Sequence, residues 1–376
     1  MATIYLDHAA TTPMHPEVIA EMTRVMAEYF GNPSSIHRFG RLAHEQLEAA
    51  RQVIADSLEV APHEIIFTSG GTESDNMAII ETAMSRQSEG KHLITTAIEH
   101  PAVLQTMAYL EGQGFEVTYL PVDQKGNISL SDFTAALRED TILVSIMFGN
   151  NEIGNLLPIK EIGDLLRDYP AYFHSDAVQA YGSQTIRPHE LGIDLLSTSA
   201  HKINGPKGVG FLFKSDKIKL PPLLHGGEQE EKRRPGTENL AGIMGMKAAV
   251  EQLAAEERQA RKQEYTEFAK QILTFLDEKA IDYKINGDFS QRLPHILNLH
   301  LKNTPNNLLL MKLDLKDIAV STGSACTAGT VDPSHVLEAM YGKDDPAITE
   351  SIRISFGLDV TAEQIDQFCQ VLAASL

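Results

Sequence analysis

Ala171-Tyr-Phe-His-Ser-Asp176 is a short apolar run that stops at an acid, and Ile193-Asp-Leu-Leu-Ser-Thr-Ser-Ala-His-Lys202 is a second that stops at a lysine. Each reads as a strand, and the lysine is followed by the turn-rich Asn204-Gly-Pro-Lys-Gly208. Alone, neither end says much. A lysine there is ordinarily a solvated charge, and an aspartate as readily caps a helix or binds an ion. Together, on successive βα units, they occupy the carboxyl ends of strands, where an open α/β sheet gathers its ligand groups.

The same alternation extends outward from these two runs. Strand-like segments occupy Glu64–Thr68, His92–Thr96, Val117–Leu120, Ile142–Met147, Ala171–Ser175, Leu195–Thr198 and Gly208–Phe213. Helical patterns fall between them at Pro16–Tyr29, Arg41–Ser57, Glu73–Ser85, Ala102–Glu111, Leu130–Leu137 and Ile159–Arg167. This order predicts an α/β domain with a mostly parallel central sheet. From Asn239 to about Lys279 a helical pattern carries Ile243, Met246, Val250 and Leu253 at helical spacing. Its charged middle, Glu256 to Glu267, suits a solvated helix bridging two domains. Strand-like runs at Ile296–Leu301, Ile318–Ser321 and Ser351–Ser355 then alternate with helical patterns at Asn306–Leu313, Pro333–Met340 and Ala362–Leu372. The expected division is a large domain over 16–257 and a smaller α/β domain built from 1–15 and 258–376.

Composition narrows the function. A net charge of −19 argues against a nucleic-acid or anionic-membrane surface. No apolar run approaches the length of a membrane span, and the start lacks the pattern of a signal peptide. Two cysteines, Cys326 and Cys369, are too few for a disulfide framework or a four-cysteine zinc site, so a cytoplasmic, thiol-reducing setting fits best. Cys369 sits in an amphipathic terminal helix and reads as packing, whereas Cys326 lies among Gly, Ser, Ala and Thr in an accessible segment.

Phe67-Thr-Ser-Gly-Gly-Thr-Glu73 follows a strand and opens a helix. Glycines let a backbone approach a phosphate, and the helix start offers unsatisfied N–H groups. A plain capping box explains this stretch equally well, and it matches neither a Walker motif nor the dinucleotide fingerprint. An amine for an aldehyde, an acid for a protonated ring nitrogen and a cup for a phosphate are the demands of one cofactor, pyridoxal 5′-phosphate (PLP).

The ordered motifs carry the case further. They include Tyr5-Leu-Asp-His-Ala-Ala-Thr-Thr12, Gly31-Asn-Pro-Ser-Ser-Ile-His37, Phe67–Asn76, Glu99-His-Pro101 and Asn150-Asn-Glu-Ile-Gly154. His174–Gln179, Ser199–Lys202, His225–Gln229, Arg233–Asn239, Ser324–Thr327 and Ser351–Ser355 complete the set. Essentially end to end, the chain resembles a cysteine desulfurase of the NifS/IscS type, among the fold-type I, aspartate-aminotransferase-like PLP enzymes. The resemblance implies that Lys202 is the Schiff-base lysine, Asp176 the partner of the ring nitrogen, Gln179 a donor to the ring oxygen and His100 the imidazole over the ring. It implies phosphate contacts from Gly71, Thr72, Ser199 and His201, with Thr237 arriving from the second subunit of a homodimer. Asn151 is implied at the cofactor and, with Arg353, at the substrate carboxylate. Arg353 reads as alternating outward from two isoleucines, its fork suited to a carboxylate. Cys326 is implied as the residue that takes the sulfur, its only metal role that of a transient ligand to an iron–sulfur cluster. Departures are small: Gly71 replaces the alanine of some relatives, and Thr327-Ala-Gly follows the cysteine where Thr-Ser is common.

These assignments imply that L-cysteine becomes L-alanine, with Lys202 moving the α-proton, His100 relaying a proton and Cys326 passing its persulfide to an acceptor protein. An iron–sulfur scaffold and a tRNA-thiolating enzyme are the acceptors considered, with a lean toward the latter. An aminotransferase or a selenocysteine lyase that does not need Cys326 is the alternative within the fold; a sulfur-carrier or scaffold module without catalysis is the alternative outside it.

Overall fold

The computed structural model describes residues 3–323, 326–327, 330–331 and 333–376, with 326–327 and 330–331 described as backbone only. A short strand β1 (Ile4–Tyr5) opens the chain. The central sheet follows: β2 (Ile65–Thr68), β3 (His92–Thr96), β4 (Glu116–Leu120), β5 (Thr141–Ser145), β6 (Tyr172–Asp176), β7 (Leu195–Ser197) and β8 (Gly210–Lys214). Their order is β2-β8-β7-β6-β5-β3-β4, and all run parallel except β8, which is antiparallel to both β2 and β7. Strands β3 and β5 are buried at every residue. That two-faced burial is why Ile142-Leu143-Val144 reads as a continuous apolar run.

Helices Gly71–Arg86 and Pro101–Gly112 cover one part of the sheet, where Ile79, Ala83, Val103 and Met107 pack with Leu93 and Leu143. A larger core gathers Val18 and Val25 of helix Pro16–Glu28, Leu47 and Ile54 of Arg38–Leu58, and Ile243 and Met246 of Leu240–Glu251. The expected single helix from Asn239 to Lys279 is two, Leu240–Glu251 and Ala255–Glu278, interrupted at Gln252–Ala254. The reason lies in the packing. The first helix gives its apolar face to the large core, while Tyr265, Phe268, Ile272 and Leu276 of the second enter a different one. The break redirects the chain between them.

That second core lies against β9 (Tyr283–Asn286), β10 (Ile296–Leu301) and, after β11 (Ile318–Ala319), β12 (Cys326–Thr327) and β13 (Thr330–Val331), the strand β14 (Ser351–Ser355). The order is β14-β10-β9, antiparallel throughout. Strand β9 was not expected. Tyr283-Lys-Ile-Asn is an edge strand with only Asn286 buried, so it lacks a strong apolar signal. Strand β1 pairs in parallel with β11, and Ile4 and Leu6 belong to this second core while Ala9 belongs to the first. The start of the chain thus crosses from one core to the other.

Candidate active site

Strands β6 and β7 are neighbours with Asp176 opposite Ser197, so their carboxyl ends deliver Asp176 and the Ser199–Lys202 turn to one place. The Lys202 ammonium donates to the carbonyls of Ala9 (2.6 Å) and Ala10 (2.8 Å). Burial pulls this amine down to about 8, helped by the charge of Arg353 and opposed by Asp7 and Asp176. An amine so shifted is partly neutral near physiological pH and nucleophilic without a separate base. Burial raises the Asp176 carboxyl, while the neighbouring His100 ring, the Val178 N–H at 2.9 Å and the charge of Lys202 favour its ionised form. His100 caps the helix Pro101–Gly112, its Nδ1 accepting the Ala102 N–H at 3.1 Å. The same ring also lines the cavity beside Thr72. One of its nitrogens and single oxygens of Asp75 and Asp176 all lie within 4.8 Å of one another. Burial holds the imidazole below its usual value, so it is neutral, and with Nδ1 accepting the Ala102 N–H its proton sits on Nε2.

Beside these groups lies a cavity of ≈ 340 Å³ whose wall includes Ala10, Gly71, Thr72, Ser199, His201 and Lys207. Gly70 has φ +145°, a conformation few residues other than glycine adopt, and it precedes the helix Gly71–Arg86, whose first residues Gly71, Thr72 and Glu73 line the cavity with N–H groups that no intrahelical carbonyl satisfies. A Cβ on Gly71 would lie 2.7 Å from the Val178 Cγ2, so alanine fits there only if Val178 turns. Glu73, one turn in, would place a negative charge near the cup, but it is bound by Arg234 at 2.8 and 3.1 Å and by the Ser69 N–H. Burial keeps the His201 ring neutral, down to about 4, and its Nδ1 meets the Thr11 hydroxyl at 3.1 Å. Helix N–H groups, hydroxyls and Lys207 make a donor set for a phosphate. Thr72 also lines the adjoining cavity walled by His100 and Pro101. The cup, the depressed amine and the buried acid together fit PLP.

Gln179 is buried and donates from its amide to the Ala9 carbonyl at 2.9 Å, the same oxygen that Lys202 uses. Arg353 corrects an expectation. It does not face outward: it is 3% exposed, and every residue of β14 is buried. The strand is covered on both sides, by the second core and by the cleft, so alternation did not distinguish core from solvent. Its guanidinium binds Asp7 (2.7 Å) and the Asn151 carbonyl (2.8 Å), and its Nε is buried without a partner. Asn151 joins the group through that carbonyl. Thr237 is exposed and does not line the cup of its own chain. Cys326 has a described backbone, paired through β12 with β13, but its side chain lies outside the described residues. Cys369 is buried among Ile365, Phe368 and Leu372, with burial pushing its thiol to about 12, which suits packing alone. Three acids went unassigned from the sequence: Asp7, Asp75 and Glu99. Each stands inside a quoted motif, but only the fold shows what it faces.

An α/β fold with a lysine, an acid and a phosphate cup at its strand ends defines a PLP-dependent enzyme. The sequence profile of the family described as Aminotransferase class-V matches residues 4–368, and the chain belongs to that family. It is 47% identical over 369 residues to the cysteine desulfurase IscS of Dictyoglomus turgidum, covering 98% of this chain and 93% of that one. Identity to the cysteine desulfurase IscS of Methanosarcina thermophila is 47% over 376 residues, with 98% and 91% covered. Among solved structures, a NifS-like protein aligns with a TM-score of 0.93 at 35% identity, covering 99% of this chain and 98% of that one. SspA in complex with cysteine aligns with a TM-score of 0.83 at 36% identity, covering 94% and 99%. Among the described residues no helix is long and apolar enough to cross a membrane.

Proposed function

We propose that the protein is a cysteine desulfurase, converting L-cysteine to L-alanine and leaving the sulfur as a persulfide on Cys326. The observation that carries this reading is the link between the substrate arginine and the chain leading to the cysteine. Arg353 shares one cleft with Lys202, and its own backbone N–H and C=O bond Ser321, at 2.6 and 3.1 Å, where the Cys326 segment begins.

PLP, when bound, supplies an electrophilic carbon for the substrate amine and a ring able to accept electrons. In this reading Lys202 holds the cofactor and then takes the proton from the substrate Cα. Asp176 keeps a negative charge at the ring nitrogen, Gln179 serves the ring oxygen, and Gly71, Thr72, Ser199 and His201 hold the phosphate. Arg353 and Asn151 orient the substrate carboxylate. The Cys326 thiolate attacks the substrate sulfur, forming the S–S bond as the C–S bond breaks, and alanine leaves with the electrons of that bond. His100, neutral and beside Asp176, would carry the proton of the substrate thiol to the Cβ that the sulfur leaves, and Lys202 would return the α-proton, completing alanine.

Thr237, exposed on its own chain, serves the phosphate of the second subunit of a homodimer. The sulfur then goes to an acceptor protein in the cytoplasm, an iron–sulfur scaffold or a tRNA-thiolating enzyme. The same reading places the large, cofactor-holding domain at 16–257 and the smaller one at 1–15 with 258–376, supported by Ile4 and Leu6 in the second core.

Alanine and persulfide are measured after mixing the PLP-loaded protein with cysteine. The expectation is one alanine per persulfide on Cys326, with sulfur transfer abolished in Cys326→Ser while cysteine still perturbs the cofactor band. Undiminished sulfur transfer by Cys326→Ser would overturn the role of that residue, and failure of wild type to form alanine would overturn the activity.

A further inference from the structure

Three carboxyl groups meet in the interior beneath His100. Asp75, Glu99 and Asp176 are 1%, 0% and 6% exposed. Single oxygens of Asp75 and Asp176 lie within 4.8 Å of each other, and the Glu99 carboxyl and each of these two bear on one another through charge. Like charges this close in a dry interior cannot all persist. The question is which of the three keeps its charge, and the hydrogen bonds answer it.

Asp75 has no cation beside it. The nearest basic group, His174, has Nε2 at 3.5 Å from Asp75 Oδ1, but hydroxyls already occupy both of its nitrogens, Ser145 at 2.8 Å and Ser197 at 2.9 Å. Burial pulls that ring down to about 3, so it is neutral. Among the described residues Asp75 Oδ1 and Glu99 Oε2 have no hydrogen-bond partner; the Ser197 hydroxyl beside Asp75 favours its ionised form but is outweighed by burial and by the charge of Asp176. The other Glu99 oxygen accepts from the Thr96 hydroxyl (2.8 Å) and the Met147 N–H (2.9 Å). An ionised carboxylate spreads its charge over two oxygens, so an orphan oxygen in the interior is costly. A neutral acid concentrates its acceptor strength on the satisfied one. Asp176 differs, having the Val178 N–H and the positive potential of Lys202.

We propose that Asp75 and Glu99 are un-ionised positioning residues that leave Asp176 the single buried anion of the site. This rests on Asp176 being the partner of the ring nitrogen: one negative charge then faces one protonated ring. Burial raises both neighbours in the direction this requires, Glu99 to about 8.

The test is infrared difference spectroscopy of the PLP-loaded protein at neutral pH, wild type minus Asp75→Asn and wild type minus Glu99→Gln. Each difference should show loss of one carbonyl stretch of an un-ionised carboxyl group. Both variants should hold PLP within about threefold of wild type, since a neutral amide replaces a neutral acid. Loss of an ionised-carboxylate stretch instead, or a fall in PLP affinity beyond tenfold, overturns the proposal for that residue. If an amide variant fails to fold, wild type carrying ¹³C-labelled aspartate or glutamate is read at the same pH. Absence of an un-ionised band for the labelled residue type then overturns it. Undiminished turnover of Asp176→Asn would remove that residue from the ring nitrogen, an outcome separate from the two bands.

Discussion

Arg353→Ala separates a substrate role from a purely structural one, and its size follows from what the guanidinium already holds. One arm is taken by Asp7 at 2.7 Å and another by the Asn151 carbonyl at 2.8 Å, and the side chain is 4% exposed. A substrate carboxylate must exchange with Asp7 for part of the fork, so binding gains only the difference. Charged hydrogen bonds contribute about 1.5–3 kcal/mol each. With one arm shared, the variant should lose about 2 kcal/mol, or roughly 30-fold in cysteine affinity. A second effect is independent of substrate. Arg353 helps hold Lys202 down to about 8, against Asp7 and Asp176. Removing the arginine frees Asp7 and lets Lys202 rise, so at a given pH less of the amine is neutral. Cofactor capture by the apo protein rises with pH through the Lys202 value, and this rise should move to higher pH in the variant. Cysteine titration of the loaded protein, followed by the cofactor band, reads the first effect; capture rate against pH reads the second. Arg353→Lys keeps a charge for Asp7 without the fork, so it should restore the capture profile and only part of the affinity. An Arg353→Ala protein that binds cysteine like wild type refutes the substrate role.

Asp176→Asn should retain PLP but lose about 100-fold or more in kcat, because an amide cannot stabilise a protonated ring; wild-type turnover would exclude it from that position. Mixing inactive Lys202→Ala and Thr237→Ala subunits should recover part of the activity, since one site of the mixed dimer regains an intact set; no recovery after verified exchange would place Thr237 elsewhere. Glu230→Gln should lower stability by about 3 kcal/mol in denaturant titration, since buried Arg51 binds Glu230 through two contacts of 2.7 Å and would keep only the half-exposed Glu48 at 3.1 Å as a counter-charge. An unchanged midpoint would mean that this ion pair does not anchor the segment leading to Thr237.

Much of the α/β frame was legible because its strands are two-faced and apolar. His92–Thr96, Ile296–Leu301 and Ser351–Ser355 begin and end in the structure where the residues suggested. The run ending at Lys202 could not reveal its neighbour's direction: between β7 and β8 lies only the short turn Ala200–Lys202 and no crossover helix, and β8 returns antiparallel. The break at Gln252–Ala254 was hidden because apolar residues keep helical spacing on both sides while serving different cores. For Arg353, flanking isoleucines give a pattern that looks half-exposed on any strand, and only the cleft opposite shows that its polar face is buried too. Asp75 and Glu99 escaped for a related reason: an acid's partners, and so its charge state, are set by distant strands.

The least legible part of the site is also the part that joins it. Residues Asp7 to Thr12 contribute the carbonyls of Ala9 and Ala10 as well as side chains, and backbone groups leave no residue-type signal. Asp7 binds Arg353, the Ala9 carbonyl receives both Gln179 and Lys202, and the Thr11 hydroxyl meets His201. The Thr12 hydroxyl donates to the His201 carbonyl at 2.8 Å. Upstream, Ile4 and Leu6 are fixed in the second core, and downstream Ala9 lies in the first. One segment, turned at His8–Ala10, thus spaces the arginine of one core from the lysine, glutamine and histidine of the other. The carbonyls of Ala9 and Ala10 also keep the Lys202 amine directed into the cleft before any cofactor arrives, a task that any residue's carbonyl could perform. Their role comes from where the chain crosses between cores, which is why Tyr5–Thr12 can be quoted as a motif yet explained only in the folded protein.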